Sequence, residues 1–491
     1  MSRSKRYLRT AISASAALSL LLPATAGFAQ QTAVQAMSAK DRQQGAEVHP
    51  QLVAEFGGAM TGAQAVYIEG IGKNMAMQTG LANSRSEFTV TLLNSSVNNA
   101  FAIPGGYIYI TRQLVALMNN EAELAGVLGH EWAHISQRHS AKRQSAATRN
   151  AVIGVLGTIL SGVLLGNNAL GQAGQKLFSQ GSQLLTLQYS RSQETEADTY
   201  GIRYLTSAGY DPRAMSTVLR SLANQNALEA RLMGSGNRVP AWASTHPEPE
   251  KRVATALARA GNQARGVTNR DTFLARVDGI MVGDDPRQGV VEGRKFTHPD
   301  LKMAFDVPNG YYMVNGTRSV AIAGQSGKGE FTTGQYSGDL DSYIRAAFAA
   351  LTEGNQQRID PGAISRTTVN GIPAAYATAR VNNGSSQVDV TVFAYEFSRS
   401  SAFHFLTIAQ AGGAGVFSPM YQSMRRISAN EAAAVRPRKL VVVTARRGDT
   451  VQSLAARMAY SDAQLDRFLV LNALTSQSTI SVGQKVKLVT Y

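Results

Sequence analysis

Residues 120–136 read NEAELAGVLGHEWAHIS. Asn120 followed three positions later by Glu123 is a capping-box signature for a helix N-terminus, and Leu124, Val127 and Leu128 recur on one apolar face. Inside that helix, His130-Glu131-Trp132-Ala133-His134 sets two imidazoles at i and i+4, where both can reach one cation. Glu131 lies one residue along, within reach of a water beside that cation without being a ligand itself. Gln137 and Ser140 stand where the metzincin pattern requires Gly and a third His, which excludes that class. Farther on, residues 190–198 read SRSQETEAD. Helical spacing puts Glu194 and Asp198 on one face, so one can complete a metal site while the other buttresses a ligand imidazole. His139, five residues past His134, points elsewhere on a continued helix. His49, His298 and His404 have no partner pattern and read as structural.

The rest of the sequence bounds this chemistry. The chain has 491 residues and no cysteine, so disulfides, thiolate metal sites, iron–sulfur clusters and a cysteine nucleophile are excluded. Any metal must be held by His, Asp or Glu. The length allows about three domains. The formal charge is +15; the first 29 residues hold Arg3, Lys5, Arg6 and Arg9 and no acid, which leaves 15 − 4 = +11 without them. No Lys/Arg tract with interleaved aromatics is present, so nucleic acid is not an expected partner.

Those four basic residues precede an apolar stretch from Ala11 to Leu22 and then Pro23 and small residues, the order of a secretory signal peptide over 1–29. Export of a cysteine-free chain points to the periplasm, with secretion as the other destination. Residues 30–265 read mostly helical. Residues 266–435 read as an α+β unit: Leu301, Met303, Phe305 and Val307 alternate, as do Val388, Val390 and Val392. Asn370-Gly371 and Asn383-Gly384 mark hairpin turns, and Leu340, Ile344, Phe348 and Leu351 share a helical face. After the basic joint Arg436-Pro437-Arg438-Lys439, residues 440–491 read strand, helix, helix, strand. The expected fold class is therefore multidomain α+β. Ala151 to Leu165 carries no charge; it reads as a buried helix or hairpin, or as a mobile apolar element that covers the site or touches a membrane surface.

Three motifs in this order, Asn99-Ala100-Phe101-Ala102-Ile103-Pro104-Gly105-Gly106, the His130–His134 run and Glu194-x-x-Ala197-Asp198, resemble peptidase family M48. That family includes the CAAX prenyl proteases, the membrane protease HtpX and soluble periplasmic BepA-like proteins. The resemblance covers about residues 45–260 and fits the soluble periplasmic branch. It implies a mainly helical, zincin-type domain holding one Zn²⁺ on His130, His134 and Glu194, rather than Glu196, with Asp198 behind a ligand. It implies that Glu131 is the general base of peptide hydrolysis. Thr245-His246-Pro247 with Arg252 downstream matches a motif lying near the metal in the family. His246 would then stabilise the oxyanion or occupy the open metal position at rest. Asn99, Ala100, Phe101 and Ala102 would offer an edge strand to an extended substrate.

Residues 440–491 resemble a LysM module through Arg447-Gly448-Asp449-Thr450, Leu454-Ala455, Asn472 and the 480–486 run, which implies contact with peptidoglycan. The expected function is an exported zinc metalloendopeptidase acting on unfolded or misassembled cell-envelope proteins in quality control. Two alternatives stand beside it: a chaperone or assembly factor with a gated peptidase site, and an endopeptidase of peptidoglycan crosslinks.

Overall fold

In the computed structural model of the chain, residues 36–140, 189–232, 246, 248–261, 266–351, 359–382 and 387–491 are described. The leader expected over 1–29, the apolar stretch 151–165 and the Asn383-Gly384 turn lie outside them. No helix among the described residues is long and apolar enough to cross a membrane. The protein is a multidomain α+β molecule, with helices and four sheets among the described residues.

The first unit is built around a small sheet. Strands β1 (Thr89–Leu93) and β3 (Tyr107–Thr111) run parallel, and β2 (Ala100–Ile103) pairs antiparallel with β3 at the sheet's edge. Alternation sorts the two faces. Ala100, Ala102, Ile108 and Ile110 join the larger core, whereas Phe101, Ile103 and Tyr109 pack with Val48, Leu52 and Phe56 of α1 (Ala39–Glu55). The larger core is closed by α2 (Ala63–Met77), α3 (Arg112–Leu117), α4 (Glu121–Ser136), α5 (Arg191–Ser207), α6 (Ala214–Leu232) and α7 (Pro249–Ala260).

Helix α4 starts where its capping signature places it: the Glu123 N–H donates to the Asn120 side chain at 2.9 Å. The reciprocal bond is displaced by one residue. The Glu123 carboxylate accepts from the Asn119 N–H and from the Thr217 hydroxyl of α6, both at 2.7 Å. A cap that also ties two helices is one reason the pattern is only partly readable from local spacing.

The middle unit is a seven-stranded antiparallel sheet, ordered β11-β12-β13-β14-β10-β9-β8. Its strands are β8 (Tyr312–Asn315), β9 (Val320–Gly324), β10 (Gly327–Thr333), β11 (Ser365–Val369), β12 (Ile372–Asn382), β13 (Gln387–Ser398) and β14 (Ser401–Gln410). Helix α8 (Leu340–Ala350) covers one face through Leu340, Ile344 and Phe348. A four-stranded sheet containing β6 (Lys295–His298) and β7 (Met303–Asp306) lies against the other, where Phe296 and Phe305 meet Phe331 and Phe405. Both faces are therefore dry. That is why Val388, Val390 and Val392 are buried and Asp389 and Thr391 between them are buried too. Asn370 and Gly371 take φ of +49° and +78° between β11 and β12, as the expected tight turn requires. Leu301 departs from its expected place: it precedes β7 and is 42% exposed, because the strand begins only at Met303.

The last segment runs β16 (Arg438–Thr444), α9 (Val451–Ala455), α10 (Gln464–Leu471) and β17 (Lys485–Thr490), with β16 and β17 antiparallel. It is not set apart. Leu440, Leu454, Phe468, Val486 and Leu488 belong to the same core as the first unit, together with Phe273, Leu274 and Val277 from 270–277. These last three fall beyond the expected boundary at 265 yet pack with the first unit. Lys487 fastens the joint. Its Nζ donates to the carbonyls of Ala116, Leu117 and Met118 at 2.8, 3.1 and 2.6 Å, which are end-of-helix acceptors with no partner within α3. Glu123 supplies the opposing charge.

Lys487→Met removes three charge-assisted bonds and leaves Glu123 without its cation. Unfolding free energy, read from urea denaturation of the full chain, is expected to fall by about 3–5 kcal/mol. Lys439→Met, on an exposed position of β16, is expected to change it by less than about 0.5 kcal/mol.

Candidate metal centre

Two helices make most of the site, and Gly201 sets their close approach. His130 and His134 project from α4 toward α5, which carries Glu194, Asp198 and Gly201 at i, i+4 and i+7 on one face. A Cβ on Gly201 would lie 3.2 Å from the His130 amide nitrogen and 2.7 Å from Met215 Cε. A Cβ on Gly129 would lie 2.9 Å from Met75 Cε and 3.5 Å from the Gly201 carbonyl oxygen. Gly201 therefore lets α5 approach α4 closely enough for a carboxylate on one to meet imidazoles on the other, while Gly129 leaves room for Met75 of α2. Trp132, fully buried, fixes the far side of α4 by donating to the Gly72 carbonyl at 2.9 Å.

The four side chains His130, His134, Glu194 and His246 converge in a buried cluster able to hold one metal ion. His130 Nε2 and His134 Nε2 are 3.0 Å apart. Glu194 places Oε2 3.5 Å from the first and Oε1 3.5 Å from the second. His246 Nδ1 lies 3.4 Å from His130 Nε2 and 3.1 Å from Glu194 Oε2. Ligands about 2.0–2.1 Å from a tetrahedral zinc are about 3.3 Å from one another. These separations, 3.0 to 3.5 Å, fit that ion.

The chemistry of the donors fits as well. His130 Nδ1 faces Asp198 Oδ1 at 3.0 Å; a carboxylate only accepts, so Nδ1 keeps its proton and Nε2 is the nitrogen left for a metal. Arg252 grips Asp198 from Nε and Nη2 at 2.8 and 2.6 Å and reaches Glu194 Oε2 with Nη1 at 2.7 Å. Burial pushes the Asp198 carboxyl up, but Arg252 and His130 outweigh it and hold it at about 2. Burial likewise opposes ionisation of Glu194, and the charges of His246 and Arg252 hold it well below the usual carboxylate range. At His130, burial lowers the imidazole while the Asp198 and Glu194 carboxylates raise it further, to about 9. The carboxylates that favour a second proton on this ring also favour a divalent cation in its place, which binds by displacing the proton from Nε2.

Glu131 is 0% exposed, and among the described residues neither carboxylate oxygen has a hydrogen-bond partner; His246 Nε2 is 3.4 Å from Oε1. A buried, unbonded carboxylate is costly to keep, and here it is aimed into the cluster.

Of the residues singled out in the sequence, His130, Glu131, His134, Glu194, Asp198, His246 and Arg252 come together. Asn99, Ala100, Phe101 and Ala102 lie alongside. The Thr111 N–H donates to the Asn99 carbonyl, so Asn99 and Phe101 bond inward to β3 while Ala100 and Ala102 turn their backbone groups to the open edge. His246 Nε2 is 3.3 Å from the Ala100 carbonyl oxygen. The Phe101 side chain points away, into the α1 side of the sheet between Phe56 and Tyr109. His139 contradicts its reading. It does not point elsewhere: it is fully buried with Nδ1 2.8 Å from His134 Nδ1. Tyr189 was not anticipated, and its ring stacks on His134 at 3.7 Å and 13°; neither Tyr189 nor Gly201 belongs to a spacing pattern that would have announced it.

Comparison with known proteins agrees with this geometry. The profile of peptidase family M48 matches residues 63–260, so this part of the chain is similar to that family. The beta-barrel assembly-enhancing protease of Escherichia coli is 34% identical over 217 residues, which is 43% of this chain and 42% of that protein. Its Yersinia pestis counterpart is 35% identical over 198 residues, 40% of this chain and 38% of that one. The mitochondrial metalloendopeptidase OMA1 of Schizosaccharomyces pombe is 29% identical over 210 residues, 42% of this chain and 57% of that one. The chain thus spans well under two thirds of the length of these relatives.

Gly201→Leu drives a side chain into the His130 backbone and pushes α5 off α4. The expected outcome is a loss of about 1–3 kcal/mol in stability together with loss of stoichiometric zinc, measured by metal analysis after dialysis against trace zinc. Gly209→Ala, with nothing within 4 Å of its would-be Cβ, is expected to retain the metal.

Proposed function

We propose that the protein is a zinc metalloendopeptidase of the cell envelope, exported to the periplasm, which hydrolyses unfolded or misassembled envelope proteins. The observation that carries this reading is the buried cluster of His130, His134 and Glu194 able to hold one metal ion, with the Glu131 carboxylate buried beside it. Zinc held there supplies a Lewis acid that polarises a carbonyl and makes water nucleophilic near neutral pH.

The chain's own residues do the rest. An Oε of Glu131 takes a proton from the attacking water and passes it to the leaving nitrogen. Burial raises the Glu131 carboxyl, which suits a group that must both accept and release that proton. Arg252 and Asp198 hold Glu194 and His130 in place. The outward-facing amide and carbonyl groups of Ala100 and Ala102 pair with an extended peptide backbone. Such pairing reads main chain more than side chain and suits unfolded clients.

His246 sits across both features, with Nδ1 at the fourth corner of the cluster and Nε2 at the Ala100 carbonyl. This placement supports a resting state in which His246 occupies the open metal position and must withdraw before substrate pairs. It also supports the reading as an assembly factor whose peptidase is gated.

The domain scheme we propose is a peptidase unit over 30–265, an α+β unit over 266–435 and a LysM-like unit over 440–491. Supporting the last are the strand-helix-helix-strand order and the exposed loop positions Arg446, Arg447 and Val482 on the segments joining its elements. Those loops are where contact with peptidoglycan is expected.

Glu131→Gln is expected to retain one zinc per chain while casein hydrolysis falls about 10²–10⁴-fold. Turnover at the wild-type rate would remove Glu131 as the base. Dialysis of the wild type against a chelator is expected to abolish hydrolysis, and one equivalent of zinc to restore it; chelator-resistant hydrolysis would contradict a metallopeptidase.

A further inference from the structure

We propose that His139, held by Glu196, is a positioning residue for His134, fixing the tautomer and ring direction that present the His134 Nε2 lone pair to the metal. The inference rests on the zinc-site reading above.

The two rings meet nitrogen to nitrogen, His134 Nδ1 to His139 Nδ1 at 2.8 Å, so a proton must lie between them. The other side of His139 decides which ring owns it. His139 Nε2 faces Glu196 Oε2 at 3.1 Å, and an ionised carboxylate accepts only. His139 therefore carries its proton on Nε2 and offers a lone pair at Nδ1. The shared proton belongs to His134 Nδ1, and His134 Nε2 is left bare, 3.0 Å from His130 Nε2. The chain of donors runs His134 to His139 to Glu196. His130 is oriented by a carboxylate in direct contact, and His134 by a carboxylate acting through one intervening imidazole. Tyr189 stacked on the ring restrains its plane, while His139 sets its direction within that plane.

The backbone is shaped for this. An intact helix would carry a residue five positions on away from the metal face. Helix α4 instead ends at Ser136, and Arg138 takes φ of +54°, a left-handed turn that a side chain other than Gly or Asn rarely adopts. That turn folds the chain back and drives His139 beneath His134, fully buried. Gln193 of α5 donates to the His139 carbonyl at 3.3 Å and holds the turn to the helix that supplies Glu194. A strained residue kept between two buried histidines is the arrangement expected where geometry is held for function.

The test compares full-length wild type with His139→Leu, His139→Asn and Glu196→Ala. The readouts are the zinc dissociation constant by competition with a chromophoric chelator, the visible spectrum after cobalt substitution, and the unfolding midpoint of the metal-free protein. His139→Leu leaves the His134 Nδ1 proton without an acceptor, and zinc affinity is expected to fall about 10–100-fold with a changed cobalt spectrum. His139→Asn, whose Oδ1 can accept that proton, is expected to recover most of the affinity. Glu196→Ala, at a side chain 39% exposed and tolerant of truncation, is expected to weaken zinc about tenfold. It also carries the test should His139→Leu not fold. A merely structural His139 would lower the metal-free midpoint and leave zinc affinity of the folded molecules unchanged. Wild-type affinity and cobalt spectrum in both His139→Leu and Glu196→Ala would overturn the proposal while leaving the zinc site intact. A wild type that binds no zinc would overturn the site reading itself.

Discussion

Two imidazoles and a carboxylate face one another across 3.0 to 3.5 Å in a buried cluster, and much of the first unit is arranged to keep them there. Groups of one polarity do not gather in a protein interior unaided. Gly201 lets α4 and α5 come close enough. Asp198 and Arg252 clamp one imidazole and the carboxylate. The His139 turn, Glu196 and Tyr189 clamp the other imidazole. A divalent ion turns this crowding into coordination, with the Glu131 carboxylate buried beside the cluster.

The remaining elements position that centre. The edge strand β2 borders the metal cluster through Ala100, whose carbonyl His246 reaches, so a peptide added there would run past Glu131. The last segment shares its hydrophobic core with the first unit and is pinned by Lys487 to the end of α3, two residues before the Asn120 cap of the metal helix. Whatever those terminal loops touch is therefore mechanically continuous with α4, unlike a module carried on a flexible tether.

Much of the site was legible because local spacing carries it. The i and i+4 histidines, the Glu194 and Asp198 pair and the Asn120 cap each follow from helical periodicity. What was not legible depends on where periodicity stops. His139 was misplaced because the helix ends three residues before it, in a left-handed turn at Arg138 that no Gly or Asn announces. The Glu123 side chain went to Asn119 and Thr217 because tertiary partners displaced its local one. In the middle unit, the Asn370-Gly371 turn and the helix with Leu340, Ile344 and Phe348 were readable. The two-sided burial of β13 was not, since alternation alone does not reveal a second layer packed on the opposite face. The union of the last segment with the first core rests on long-range contacts that composition does not encode.

X-ray absorption at the zinc edge of the purified full-length protein tests the central claim most directly. The account predicts a first shell of nitrogen and oxygen at about 2.0–2.1 Å, with outer-shell scattering from at least two imidazoles that is lost together in a His130→Ala, His134→Ala variant. A shell of oxygen alone, or imidazole scattering that survives loss of both histidines, would show that zinc is held elsewhere and would contradict the account.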